Sequence, residues 1–380
     1  MTARRAALLL PLLVLGGCAA LDDLWAPAVP LNERPVEEPL DPNTFLIEAP
    51  GQGVVGEPQI VFASDSDTLS DLARAYGLGY DEIVAANPGV DPWLPGAGTP
   101  ILLPTQYVLP DVQRRGVILN IATKRLFFFP QAVDGEPREV KTYPIGIGRV
   151  GWETPLGETA VVAKARDPQW FVPATVRREH AEMGNPLPAV VPPGPDNPLG
   201  NRVLKLDMPG YLIHGTNSPY GVGMRVSHGC VRLYPENIER LYELVDIGET
   251  VTIINEPFQF GYRGDVLYFE AHASLEDDEL GPDVRLAALL DAQVDANGAP
   301  LNDHLRRYVG EVAADPQGIP VGIFELDPDE YMARARVVQN TVETDPDAPT
   351  LTEVREMMEE IEAEIAAEKE GSAANPPEGS

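Results

Sequence analysis

The sequence predicts a mainly β chain with α+β elements: a β-sandwich or small barrel, preceded by a small βααβ module. Between residues 110 and 256, short apolar runs are separated by turns rich in Pro, Gly and Asn, such as "GWETPLGE" and "PPGPDNPLG". Within that region only Pro235 to Val245 reads convincingly as helix, with Ile238, Leu241, Leu244 and Val245 on one face. Residues 58–105 instead read as strand, helix, helix, strand.

Length and charge bound the alternatives. At about 150 residues per domain, 380 residues allow two or three units. The formal net charge is −31, from 28 basic and 59 acidic side chains. So acidic a chain is a poor nucleic-acid binder, because phosphate contacts need basic faces. The charge is uneven: −10 over residues 1–106, −1 over 107–256 and −20 over 257–380. The near-neutral middle is where chemistry is expected.

The elements follow in order. Arg4 and Arg5 precede ten apolar residues, Ala6 to Leu15, too few to span a bilayer. This is a signal peptide. It ends in Leu15-Gly16-Gly17-Cys18, which resembles a bacterial lipobox. That resemblance implies a lipid on Cys18, and Ala19 after it favours the outer membrane, facing the periplasm. Residues 19–57, rich in Pro and Glu, read as a tether. In the 58–105 module, Ile60 to Phe62 and Ile101 to Leu103 are the strands. Thr68 and Asp71 form a capping box ahead of Leu69, Leu72, Ala73 and Tyr76, and Asp81 to Asn87 is the second helix.

From 110 to 256, strands are expected at Val117–Ile121, Arg125–Phe129, Thr142–Gly146, Glu158–Ala163, Val203–Leu206, Tyr211–His214 and Val251–Ile254. Residues 257–340 read as an accessory α/β segment. Residues 341–380 read as an acidic helix, with Leu351, Val354, Met357 and Ile361 at helical intervals, and a disordered tail.

Chemistry concentrates in "YLIHGTNSPYGVGMRVSHGCVRL", residues 211–233. With Cys18 lipidated, Cys230 is the one thiol left, so no intramolecular disulfide forms. A free thiol titrates at about 8.5 and needs a base to become a nucleophile. His214 and His228 both lie close in sequence, and spacing alone does not rank them. Gly215 is placed to orient the His214 ring through its carbonyl, and Gly229 permits a tight turn whose amides would serve an oxyanion. Arg232 suits a substrate carboxylate. A zinc site from His214, His228 and Cys230 lacks an acidic residue or third His in the same stretch. No metal or other cofactor is expected. His180, His272 and His304 read as surface or packing residues.

The segment from His214 through "SHGCVRL" matches the signature of L,D-transpeptidases with a YkuD-type catalytic domain. "GWETPLGE", "PPGPDNPLG" and "EPFQFGY" extend the resemblance over roughly residues 58–270. "DTLSDLARAYGLGYDEIVAANPGV" resembles a LysM module, a binder of N-acetylglucosamine-containing glycans, with the insert "DPWLPGAGTP" as its departure. The resemblance implies a cysteine acyltransferase acting on peptidoglycan. Cys230 would attack the diaminopimelate–D-alanine bond of a tetrapeptide stem, release D-alanine and pass the acyl group to an amine. Acceptors in the family include a second stem, a lipoprotein lysine and a free D-amino acid; water would make the enzyme an L,D-carboxypeptidase. By the same resemblance His214 is the base and the Gly215 carbonyl orients it. His228, Gly229 and Cys230 supply amides, Ser227 fixes the loop and Arg232 lies on the substrate side. Lys124, Arg125, Arg177, Arg178 and Arg225 are expected to add positive potential for anionic stems. The rival from another class is a non-catalytic wall-binding anchor.

Overall fold

The computed structural model describes residues 29–133, 137–294, 298–323 and 334–342. The signal segment with Cys18, residues 19–28 of the expected tether and the acidic helix from residue 343 onward lie outside the described residues. The chain divides into two compact units, Met1–Pro35 and Val36–Ser380. In the first, Leu31–Glu33 forms one 3-10 turn.

The second unit begins within the stretch expected to be a tether, and the structure corrects that expectation. β1 (Thr44–Ile47) and β2 (Val54–Gly56) are strands. The physical reason is their apolar content: Phe45, Val54 and Val55 are all buried. The buried Gln52 amide closes the turn between them, accepting from Glu48 N at 2.9 Å and donating to the Val54 carbonyl at 2.8 Å.

The βααβ module follows as β3 (Gln59–Phe62), α1 (Leu69–Ala75), α2 (Tyr80–Ala86) and β4 (Pro100–Leu103). Thr68 and Asp71 form the expected reciprocal cap on α1. β3 and β4 pair antiparallel. In the "DPWLPGAGTP" insert, Asp91 Oδ1 accepts from the Trp93 and Leu94 amides, and the Trp93 ring stacks on Tyr80 at 6.1 Å.

β5 (Gln106–Val108) pairs with β2 and leads into the large sheet. Its members and neighbours, in chain order, are β6 (Gly116–Asn120), β7 (Arg125–Phe129), β8 (Arg138–Pro144), β9 (Ile147–Gly148) and β10 (Gly157–Arg166). Then come β11 (Trp170–Phe171), α3 (Ala174–Glu182), β12 (Val190–Val191), β13 (Arg202–Leu206) and β14 (Leu212–His214). β15 (Arg225–Ser227), β16 (Val231–Arg232), α4 (Pro235–Leu244) and β17 (Thr250–Ile254) complete the set. Among the described residues nine strands form one sheet in the order β1-β8-β7-β6-β17-β10-β13-β14-β16.

The two leaves of the expected sandwich therefore share a strand. β10 pairs with β17 through residues 157–160 and with β13 from Val161 onward, and its register shifts between Val161 and Ala163. Such an irregularity bends a strand. Both leaves, with α4, contribute to one core that includes Leu119, Phe128, Leu206, Ile213, Val231 and Ile238.

The leaf of β6 and β7 is buried on both faces. Side chains alternate along a strand. Val117, Leu119, Leu126 and Phe128 thus face this core, while Ile118, Phe127 and Phe129 join Leu69, Leu72, Ile83 and Leu103 of the module. The module is built onto the sheet.

A helix was missed. Only α4 was expected in this region, but α3 also forms. Val176 is its one buried residue, so it has no apolar stripe for periodicity to detect.

The accessory segment forms β18 (Phe258–Arg263), β19 (Val266–Ala271), α5 (Pro282–Ala292), α6 (Asp303–Ala314) and β20 (Val321–Gly322), around a core with Phe269, Leu305 and Val309. β21 (Arg336–Val338) then returns to pair in parallel with β3.

Arg125 on β7 is 2% exposed and joins these parts. Its guanidinium contacts Glu82 of α2 at 2.5 and 3.2 Å, the Gly77 carbonyl at 3.1 Å and Thr142 at 3.2 Å, and lies 4.1 Å over the Tyr107 ring. Removing one partner of a buried pair leaves an uncompensated charge. We expect Glu82→Leu to destabilise by about 3–5 kcal/mol in denaturant unfolding, with Glu82→Leu/Arg125→Met recovering most of the loss. Equal stability of the single and double variants would refute this account.

Candidate active site

His214 and Arg232 lie on neighbouring strands of the leaf made by β13, β14 and β16, and Ser227 lies on β15, paired with β9. β14 and β16 run parallel, with Ile213 opposite Val231 and His214 opposite Arg232. Cys230 directly precedes Val231. Ile213 and Val231 are buried in the catalytic core. Period-two alternation turns His214 and Arg232 to the opposite face.

The backbone around the nucleophile candidate is fixed by hydrogen bonds to its carbonyls. Ser227 Oγ donates to the Cys230 carbonyl at 2.5 Å. Thr154 Oγ1 donates to the Gly229 carbonyl at 3.0 Å. Gly229 has φ +95°, and a Cβ there would lie 3.0 Å from Tyr211 and 3.4 Å from the Trp152 carbonyl. No other residue fits this turn without strain. Cys230 is a free thiol of intermediate exposure, 3.6 Å from the Gly210 carbonyl.

His214 is 3% exposed, and its Nδ1 lies 2.6 Å from the Gly215 carbonyl. A carbonyl only accepts, so Nδ1 carries the proton and Nε2 of the neutral ring holds the lone pair. Burial, helped by the Arg232 charge, pushes the ring down to about 3, against the pull of backbone hydrogen bonds to Gly215 and Leu199. Burial pushes the Cys230 thiol up, opposed by a hydrogen bond to the Leu212 backbone and by Arg232. At rest the pair is therefore a neutral thiol and a neutral imidazole.

His228 is placed differently. Its Nε2 is 2.9 Å from Glu179 on α3, and its ring meets the Trp152 indole edge-on at 4.9 Å. Glu179 also pairs with Arg149. Burial and the Arg149 charge lower His228, although Glu179 pulls it up. Burial tends to raise Glu179, but the His228 hydrogen bond and the Arg149 charge outweigh it and hold the carboxyl low. Sequence reasoning missed both Arg149 and Glu179. The only signal for Glu179 was a polar segment between turns, and nothing local pointed it at His228. His180, expected on the surface or in packing, has its ring 6.3 Å from that of His228. His272 is tied to Glu270 at 2.7 Å, and His304 is exposed.

The expected positive potential is largely cancelled by acidic neighbours. Arg125 is buried against Glu82, Lys124 pairs with Asp81 at 3.0 Å, and Arg225 is held bidentately by Asp277 at 3.0 and 2.8 Å. Arg177 and Arg178 remain exposed on α3. Arg232 keeps its place beside the site, its backbone fixed by two 2.9 Å hydrogen bonds with Gly146.

The loop before Cys230 also rests on the module. Tyr80 N donates to the Val222 carbonyl at 3.1 Å, and a Cβ on Gly223 would lie 2.4 Å from Gly79 Cα.

Residues 114–253 match the model of the YkuD family, described as an L,D-transpeptidase catalytic domain. The chain is 41% identical over 226 residues to the Escherichia coli K12 protein named "Probable L,D-transpeptidase YcfS", covering 58% of this chain and 69% of that one. It is 36% identical over 285 residues to "Probable L,D-transpeptidase YbiS" of the same strain, covering 73% and 91%. The chain belongs to the L,D-transpeptidase family. Among solved structures, L,D-transpeptidase 3 from Mycobacterium tuberculosis is 20% identical, with a TM-score of 0.26; the match covers 37% of this chain and 60% of that one. The family match centres on the sheet that carries Cys230 and His214, while α5, α6 and β21 lie beyond it.

Two outcomes follow for the enzyme. His214 titrates at about 3 when folded against 6.5 as a free side chain, so below 6.5 the unfolded chain binds the extra proton. Stability then falls with pH between those values, by up to about 1.4 kcal/mol per unit. In thermal unfolding, His214→Gln should lose less stability than the wild type between pH 6.5 and 4; parallel losses would refute the assignment. Iodoacetamide labelling of Cys230 should rise with pH only above the ordinary thiol range, and a plateau already reached at pH 6 would show a resting thiolate instead.

Proposed function

We propose that this L,D-transpeptidase acts on peptidoglycan stems, with Cys230 as nucleophile and His214 as base. The observation that carries this is the buried, neutral His214, held by the Gly215 carbonyl on the strand beside that of Cys230. Sulfur attacks the carbonyl at the diaminopimelate–D-alanine bond as its proton passes to His214 Nε2. The same imidazolium then protonates the departing D-alanine nitrogen.

A trans peptide points its N–H opposite to its C=O. The Gly229 carbonyl is held by Thr154, so the Cys230 amide is directed away from Thr154, where it would donate to the oxyanion with its neighbours. Arg232 would hold a stem carboxylate. The thioester passes to an amine, giving a 3→3 cross-link when that amine belongs to a second stem.

The βααβ module supports a LysM reading through its sequence and its strand–helix–helix–strand order. It would hold glycan beside the site. The lipobox-like Leu15 to Cys18 supports a lipid anchor at the outer membrane, with the enzyme in the periplasm. Anchor and module together raise the local concentration of stems.

The test is incubation of the purified enzyme with tetrapeptide muropeptides, read by mass spectrometry. Dimers that have lost one D-alanine are expected. They should be absent with Cys230→Ala, and D-alanine release should slow roughly 100- to 10,000-fold with His214→Gln. Tripeptide monomers alone would make the enzyme a carboxypeptidase. Undiminished D-alanine release by Cys230→Ala would overturn the mechanism.

A further inference from the structure

The second half-reaction raises a proton problem that His214 does not solve. An acceptor amine arrives as an ammonium ion and must lose one proton before its nitrogen can attack. It loses a second as the amide forms. His214 takes only one of these, because the proton it accepts during attack is returned to the departing Cys230 sulfur. A second base at the site would let the acceptor enter in its prevailing ammonium form.

Glu179 and His228 have the geometry for it. Their 2.9 Å hydrogen bond fixes His228 with its proton on Nε2, leaving the Nδ1 lone pair as the basic site. The two histidines thus present opposite nitrogens: Nε2 on His214 and Nδ1 on His228. They also differ in access. His214 is buried at 3% exposure, whereas the side chains of His228 and Glu179 retain 21% and 27%. A base that serves the thiol is best kept from water, and one that discharges an incoming ammonium must return its proton to solvent. His228 is two residues from Cys230 in a turn whose carbonyls are tied down. Arg149, Trp152 and His180 surround it, and the Arg232 charge reaches it.

We propose that His228, positioned by Glu179, is the acceptor-side base, and that sulfur acylation proceeds through His214 alone. This rests on the transpeptidase reading above. The ammonium proton passes to His228 Nδ1 and from there to solvent. The amine nitrogen attacks the thioester carbon and the C–N bond forms. The remaining surplus proton goes to His214 Nε2 and on to the thiolate as the C–S bond breaks. Thioester and ammonium become amide, thiol and one released proton. Glu179 touches no substrate in this scheme and is a positioning residue.

The test separates the two half-reactions. With a donor stem alone, intact-protein mass spectrometry follows thioester formation on Cys230. A diaminopimelate-containing tripeptide is then added and its decay is timed across pH 5.5–9. In Glu179→Gln, aminolysis should slow at least about tenfold more than acylation, so that thioester accumulates. Glu179→Asp, which keeps the charge, should restore most of the difference.

In the wild type, the pH profile of aminolysis should contain an ionisation that is absent from acylation and that stays in place when an acceptor amine of different basicity is used. An aminolysis profile that differs from acylation in the wild type only by the acceptor amine's own ionisation overturns the proposal, even if Glu179→Gln fails to fold. So does an equal slowing of both steps in a folded Glu179→Gln, which would mark the pair as a clasp between α3 and the catalytic turn. Absence of any thioester in the wild type would instead refute the transpeptidase reading itself.

Discussion

The guanidinium of Arg125 sits where three parts of the chain meet, and its burial requires all three. Glu82 supplies the opposing charge from α2, Gly77 a carbonyl from the turn before it, and Tyr107 an aromatic face from the strand leading to the sheet. A charge this deep is tolerated only when its donors are satisfied. The module is therefore held in one orientation, and hydrophobic packing of Phe127 and Phe129 against α1 and α2 follows that registration. The loop at Val222 and Gly223, which leads toward Cys230 in sequence, rests on the start of α2.

Around the thiol the dominant effect is removal from water. Burial pushes Cys230 and His214 toward their uncharged forms, and Arg232 favours the thiolate while opposing the imidazolium. The neighbouring His228 lies in a more polar setting, with a carboxylate and a guanidinium within reach. The two imidazoles are thereby given different environments.

Much of this was legible in the sequence, wherever the determinants are local. The cap at Thr68, the α4 stripe and most strands of the sheet follow from spacing and turn chemistry. So does the need for glycine at 229. What was not legible is long-range or polar. The segment taken as a tether supplies β1 because its strand signal is only Phe45 and its neighbours. α3 lacks an apolar face, so Glu179 stayed hidden although it reaches His228 across 49 positions. Arg125 and Arg225 looked like exposed cations because nothing local reveals Glu82 or Asp277 as their partners.

The return of β21 bears on synthesis. Val61, in one of the first strands to be made, finds its partner Val338 close to the end of the described chain. The chain is made in order, so β3 forms with one edge open and keeps it until residues 336–338 follow. Closing so long a loop is slow, and an open edge is a template for mispairing with other chains. This early sheet is thus among the last to be finished, and a chain interrupted before residue 336 would carry an unsealed edge beside the large sheet.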